Sequence, residues 1–247
     1  MIFIEKEGLS SSVKERIIGI RKSEAWKAIE EGNTTAIRNI FNNDFPKDEV
    51  KRILIHEQHG LCAYCMKRIK DDNHSRVEHL VPLSKDKENA INYSNMLGVC
   101  DGGEKATGQQ GKVLCCDAYK KENELFLSPL NKVQMDKIAY KPDGTIHTNP
   151  FDKDMETDIN ETLHLNGIRK ADGTIRDTAT EVLKGRRDTY ERAKLMMDKL
   201  NREGKCNSIT LKKLMETLSS KEEREEYVGV KIFYFTKKYK SFVRRGL

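Results

Sequence analysis

The chain has 247 residues, 37% hydrophobic and 34% charged, with 45 Lys and Arg against 39 Asp and Glu and a formal net charge of +6. That length holds one large domain or two small ones, with a modest core under a heavily charged surface. The mild basic balance admits a nucleic-acid partner without requiring one. No apolar run approaches the roughly 20 residues of a membrane-spanning helix. Met1-Ile2-Phe3-Ile4-Glu5 also lacks signal-peptide anatomy, so a cytoplasmic protein with reduced thiols is expected.

In chain order, residues 2–4 suggest a short strand. Ser10 to Glu31 has apolar residues at helical spacing (Val13, Ile17, Ile20, Trp26, Ile29) and predicts a helix stopped by Gly32-Asn33. A short helix over Thr34–Phe41 follows, then one over Lys47–Gln58 with Pro46 at its first turn and Val50, Ile53 and Leu54 on one face. Cys62 to Lys70 predicts a metal knuckle and a short strand, and Ser75 to Val81 a strand ended by Pro82. Ser84 to Asn92 is a polar loop, Asn95 to Val99 a short apolar segment, and Asp101 to Lys112 a glycine-rich insertion. A helix is expected over Cys116–Asn123. Asp-Gly-Thr-Ile occurs at 143–146 and again at 172–175, which predicts two similar hairpin turns. Thr178 to Glu203 is the strongest helical stretch, with Thr178 and Glu181 as a capping box and Gly185 weakening its middle. Ile209 to Leu218 predicts another amphipathic helix. Lys231 to Leu247 carries six basic and no acidic side chains among Phe233, Tyr234, Phe235, Tyr239 and Phe242. This reads as a C-terminal element with core aromatics and solvated lysines, with a nucleic-acid or partner surface as the other readings.

Five of the six cysteines lie between Leu61 and Lys121, interleaved with the chain's one Glu-His pair. Cys62 and Cys65 have the spacing that lets two thiolates reach one Zn²⁺, and Cys100 with Cys116 completes a four-cysteine site. Adjacent residues usually point apart, so one of Cys115 and Cys116 suffices; Cys116 is chosen and Cys115 is its rival. Such a site stabilises by roughly 10–16 kcal/mol and would clamp a region with few large apolar side chains. Buried free thiols, or a redox pair at Cys62 and Cys65, are the alternatives. Glu78 and His79 adjoin on a strand and so point to opposite faces, which divides their labour. One of the two side chains would bind a divalent cation and the other would handle a proton. Asp117 supplies a second carboxylate once the zinc folds the segments together, and Asn95 is placed to brace the loop. The Zn-deaminase pattern, a Walker A loop and a dinucleotide fingerprint are all absent from the sequence.

Cys-x-x-Cys, Glu-His-x-x-Pro, Asn-Met-Leu, Cys and Cys-Asp-x-x-Lys, in that order, resemble an HNH endonuclease. Gly60 to Cys65, Tyr93-Ser94-Asn95, Ser128-Pro129-Leu130 and Leu163 to Asn166 resemble more narrowly the HNH proteins of Septu and retron-associated anti-phage defence systems, over about residues 45–190. The resemblance implies an α+β fold in which a ββα-metal finger with a Cys₄ zinc knuckle is surrounded by mostly helical parts. The corresponding division is an N-terminal helical segment at 1–46, the nuclease core at 47–125, a hairpin-containing extension at 126–177 and a helical, basic docking segment at 178–247. It implies that His79 is the general base, Glu78 and Asp117 hold a catalytic Mg²⁺ or Mn²⁺, Asn95 braces the hairpin, and Lys120 or Lys121 contacts phosphate. Glu78 stands where many HNH enzymes have Asp, and Asp117 where Asn or His is common. It further implies a prokaryotic defence effector that works with an ATPase, and in retron-linked versions with a reverse transcriptase and its DNA–RNA product. The alternative is a zinc-stabilised nucleic-acid-binding or scaffold module without catalysis.

Overall fold

The computed structural model describes residues 1–107 and 111–245; Gly108 of the glycine-rich insertion and the last two residues of the basic C-terminal stretch lie outside these. The fold is mixed α+β, with helices around three small two-stranded antiparallel sheets. The N-terminal part comprises α1 (Ser11–Lys22), α2 (Glu24–Lys27), α3 (Thr34–Asn43) and α4 (Lys47–Glu57). The expected single helix over Ser10–Glu31 is therefore two. Ser23 adopts an extended conformation, and its side chain accepts from the Trp26 N–H, which ends one helix and caps the next. Pro46 sits at the N-cap of α4, not inside its first turn. Val13, Ile17, Trp26, Ile37, Phe41, Val50 and Leu54 bury together, each contributing on the order of 1.5–3 kcal/mol.

This helical layer covers one face of a hairpin. β1 (Ser75–His79) pairs with β2 (Met96–Cys100) with Glu78 opposite Leu97 and His79 opposite Met96. The two-residue alternation sends Val77 and Met96 into the N-terminal cluster, while Leu97 and Val99 enter the second. Gln58, just past α4, accepts from the Gly98 N–H and donates to the Gly98 and Leu61 carbonyls, which ties the helix end to β2 and to the cysteine knuckle. That knuckle has no strand, contrary to expectation: a single bridge joins Leu61 to Arg68. The presumed polar loop over 84–92 contains a 3₁₀ turn, Glu88–Ile91, because Ala90 and Ile91 are buried under α3. The helix expected over Cys116–Asn123 is one turn, α5 (Asp117–Lys120), stopped by Lys121 at φ +52°.

α6 (Lys132–Met135) leads into the hairpin β3 (Ile138–Tyr140) and β4 (Ile146–Thr148), then α7 (Lys153–Thr157) with a π turn. A second hairpin follows, β5 (Ile168–Arg169) and β6 (Ile175–Arg176). The repeated Asp-Gly-Thr turns are alike: Asp143 accepts from the Thr145 N–H and hydroxyl, and Asp172 does the same for Thr174. α8 (Val182–Arg202), α9 (Ser208–Ser220) and β3 each pack against α10 (Val228–Arg244). The capping box is not formed. Asp177 instead accepts from the Leu183 and Lys184 N–H groups, and Thr178 accepts from Val182. Gly185 is required by contact: a Cβ there would lie 2.3 Å from the Tyr227 ring. α10 buries Tyr234 and Phe235 in the core, holds Phe233, Tyr239 and Phe242 half-buried, and leaves Lys237 and Lys240 in solvent. Residues 2–4 form no strand; Ile4 donates to the Pro129 carbonyl and enters a core that draws on residues from Met1 to Phe235.

Candidate metal centre and acid–base cleft

Cys62, Cys65, Cys100 and Cys116 are all buried, and their sulfurs lie within 4.8 Å of one another. Cys65 and Cys100 are 3.7 Å apart and Cys62 and Cys116 are 4.0 Å apart. A tetrahedron with Zn–S bonds of about 2.3 Å has S···S edges of about 3.8 Å. The four thiols therefore fit a structural zinc. The choice of Cys116 over Cys115 follows from the backbone. Cys116 sits at φ +55°, and Cys115 turns its sulfur to the Gly102 carbonyl and Thr180 hydroxyl, at 3.8 and 3.6 Å. Gly102, at φ +58°, makes room: a Cβ there would lie 2.0 Å from the Cys115 carbonyl oxygen. Cys206 stands apart, beside Met197.

With the cysteines clamped, α5 lies across β1. Glu78, on the β1 face toward the knuckle, accepts from Lys120 Nζ at 2.8 Å and from the Tyr64 hydroxyl at 3.2 Å. Asp117 stands beside it, and Arg76 Nη1 lies 3.3 Å from Asp117. Burial, then the Asp117 carboxylate, hold Glu78 well above the usual carboxylate range against the pull of Lys120. His79 points the other way, its ring edge-on to Phe41 at 4.8 Å. Its Nε2 lies 3.0 Å from the Ala90 carbonyl. A carbonyl only accepts, so Nε2 carries the proton and Nδ1 is left as the acceptor. Burial lowers this imidazole to about 4, so it is neutral at neutral pH. Glu78, His79 and Asp117 nevertheless line one cleft of about 250 Å³, at the end of the strand.

Asn95 bridges two loop segments beside the hairpin. Its side chain accepts from the Val81 N–H at 2.8 Å and donates to the Val81 and Asn89 carbonyls, locking the segment after β1 to that before β2. Lys120 departs from expectation. It is fully buried, and its ammonium holds Glu78 and the His79 carbonyl, at 3.0 Å, so it is not placed to meet an external phosphate. Lys121 is exposed and lines the cleft. Four lining or supporting residues were not singled out from sequence: Arg38, Lys47, Arg76 and Tyr64. Arg76 was within reach, because it stands two residues before Glu78 on the same strand face. Arg38 and Lys47 come from α3 and its sequel and meet the site only through the tertiary fold. Lys47 lies over the Phe41 ring at 5.3 Å, and Arg38 pairs with Glu122. His56, His59, His74, His147 and His164 lie outside this cleft; His74 pairs with Asp101 and His164 stacks on Tyr119. Among the described residues, the four cysteines are the one group that brings three or more His, Cys, Asp or Glu donors together. No helix among them is long and apolar enough to cross a membrane.

No protein-family model matches the chain, and no curated protein matches it.

Proposed function

We propose that this chain is a metal-dependent nuclease of the HNH type, hydrolysing phosphodiester bonds of nucleic acid. DNA is the first substrate to test and RNA, including tRNA, the second. One observation carries the reading: a neutral histidine with a free Nδ1 shares a cleft with two adjoining carboxylates, under a rim of Arg38, Arg76, Lys47 and Lys121. In this reading β1, β2 and α5 are the finger, with a helix one turn long, and the cysteines are its zinc clamp. The carboxylate oxygens of Glu78 and Asp117 suit a hard cation, Mg²⁺ or Mn²⁺. Such an ion would neutralise charge on the phosphate and on the leaving oxygen. His79 Nδ1 takes the proton of the attacking water, its ring fixed by Ala90 and Phe41. Asn95 keeps the end of β1 in place. The rim cations draw the phosphate in. By resemblance, the protein acts in a prokaryotic cytoplasm as the effector subunit of a defence complex with an ATPase, and a retron reverse transcriptase with its DNA–RNA product is a further candidate partner.

A zinc-stabilised module without catalysis is favoured by one contact, the ion pair that engages Glu78 with buried Lys120. One experiment separates the two. The zinc-loaded chain, alone and with the ATPase, is incubated with supercoiled plasmid and bulk tRNA, with Mg²⁺ or Mn²⁺ added or omitted. Cleavage that needs the added ion and falls about 10²–10⁴-fold in His79→Ala at unchanged zinc content supports the nuclease. Binding with no cleavage in any arm, or equal cleavage by the variant, refutes it.

A further inference from the structure

A second cleft, of about 790 Å³, opens between the N-terminal segment, the β3–β4 hairpin and α10, and shares no residue with the acid–base cleft. Lys141, Lys237, Lys240 and Arg224 line it. Lys237 and Lys240 are three apart on α10 and so share a helix face. The one acidic residue in the lining, Asp136, is paired with Lys132. Lys137 is paired with Asp152. Among the described residues no carboxylate stands within ion-pair distance of Lys141, Lys237 or Lys240. Arg224 donates to the Ser219 carbonyl and, among the described residues, pairs with no acid. Two nearby acids have partners of their own: Asp143 accepts from Thr145 within its turn, and Glu156, on α7, accepts from Thr148 of β4.

The walls are aromatic. Phe3 and Phe233 are half-buried, and Phe233 packs edge-on against Tyr140 with centroids 5.7 Å apart. His147 also lines the cleft, and its buried Nδ1 has no hydrogen-bond partner. Unpaired cations beside half-buried aromatic rings, in a concavity, match a sugar–phosphate chain whose bases are unstacked, with the Phe3 ring already carrying Lys132 Nζ 5.8 Å from its centroid. A duplex presents no free base face to such rings.

We propose that this cleft binds single-stranded nucleic acid, with phosphates on Lys141, Lys237 and Lys240 and a base against Phe3 or Phe233. It extends the nuclease reading by giving the chain a strand-holding site away from the acid–base cleft. Binding is measured without cleavage, so either reading can fail alone.

The test uses the full zinc-loaded chain carrying His79→Ala, with no added Mg²⁺. Fluorescence anisotropy follows labelled 12-nucleotide RNA and DNA strands over a salt series. Lys141→Gln/Lys237→Gln/Lys240→Gln changes only exposed side chains. It should weaken binding at least about tenfold and make the log–log salt slope shallower by about 2, as three lost phosphate contacts at about 0.7 each require. Phe3→Ala should weaken it at least about fivefold with the slope unchanged. Competition by a mononucleotide and by inorganic phosphate separates a nucleotide pocket from a strand groove: a groove is shown if neither displaces the strand at matched phosphate concentration. The proposal is overturned if the triple variant keeps the wild-type affinity and slope. It is equally overturned if polyglutamate displaces the strand as well as unlabelled nucleic acid does, which would mark an acidic-protein surface, or if a mononucleotide alone saturates the site.

Discussion

Lys120→Met tests the arrangement at the heart of the acid–base cleft. The ammonium is fully buried, 2.8 Å from Glu78 and 3.0 Å from the His79 carbonyl. Methionine keeps most of the volume but leaves Glu78 with only the Tyr64 hydroxyl and a neighbouring carboxylate. Breaking a buried pair from one side costs about 3–5 kcal/mol. For a chain of this length that is a fall in Tm of roughly 6–20 °C. The sign with pH follows from Glu78, whose folded pKa lies well above its ordinary value. A raised carboxyl binds its proton more tightly in the folded state, so stability is lost as pH rises from the unfolded carboxylate range, about 4.3, through the folded value. Removing Lys120 raises Glu78 further, so the penalty is small near pH 5 and grows toward pH 8. Glu78→Gln in the same chain removes the stranded charge, and the double variant should recover about 2 kcal/mol relative to additivity. Urea melts of the four proteins at both pH values, in zinc-replete buffer, measure this. A Lys120→Met penalty below about 0.5 kcal/mol at pH 8, or strict additivity of the pair, would refute the reasoning. Mn²⁺ offers a further check tied to the nuclease reading, since a cation beside Glu78 should stabilise Lys120→Met more than wild type.

The cysteine cluster and the C-terminal packing give the other tests. Metal analysis should find one zinc per chain in wild type and in Cys115→Ser, whose sulfur faces Thr180, and none retained through dialysis by Cys65→Ser; equal loss in both variants would reverse the assignment of Cys116. Gly185→Ala places a Cβ 2.3 Å from the Tyr227 ring and should cost about 1–3 kcal/mol through overpacking; a stabilised variant, as helix propensity alone would give, would show that Tyr227 moves freely.

Much of this architecture was legible in local pattern. The helix over Lys47–Glu57, the two Asp-Gly turns and the opposite-facing Glu78 and His79 follow from spacing, because periods of 3.6 and 2 are properties of the backbone itself. The Cys-x-x-Cys pair named two of the four thiols that could hold a metal ion, and the rule that adjacent side chains diverge left room for only one of Cys115 and Cys116. Local pattern misled where a distant contact decided. Ser84 to Asn92 looks like loop until Ala90 and Ile91 are seen under α3. Thr178 and Glu181 look like a capping box until Asp177 is seen to take the Leu183 and Lys184 N–H groups beside the Thr178 bond to Val182.

What the sequence by itself determined is the inventory: cysteines at metal-ligand spacing, a Glu-His pair on a strand and a carboxylate next to the last clustered cysteine. Only the tertiary structure decided how that inventory is used. The positive φ at Cys116, opened by Gly102, chose one thiol of two and set α5 across β1. That crossing buried Lys120 against Glu78 and left Lys121 on the rim, although the two lysines are indistinguishable as neighbours in sequence. The physical reason is that a side chain's charge partners and dielectric depend on segments that approach from far along the chain. Arg38 and Lys47 reach the cleft across dozens of residues, and no local period encodes that meeting.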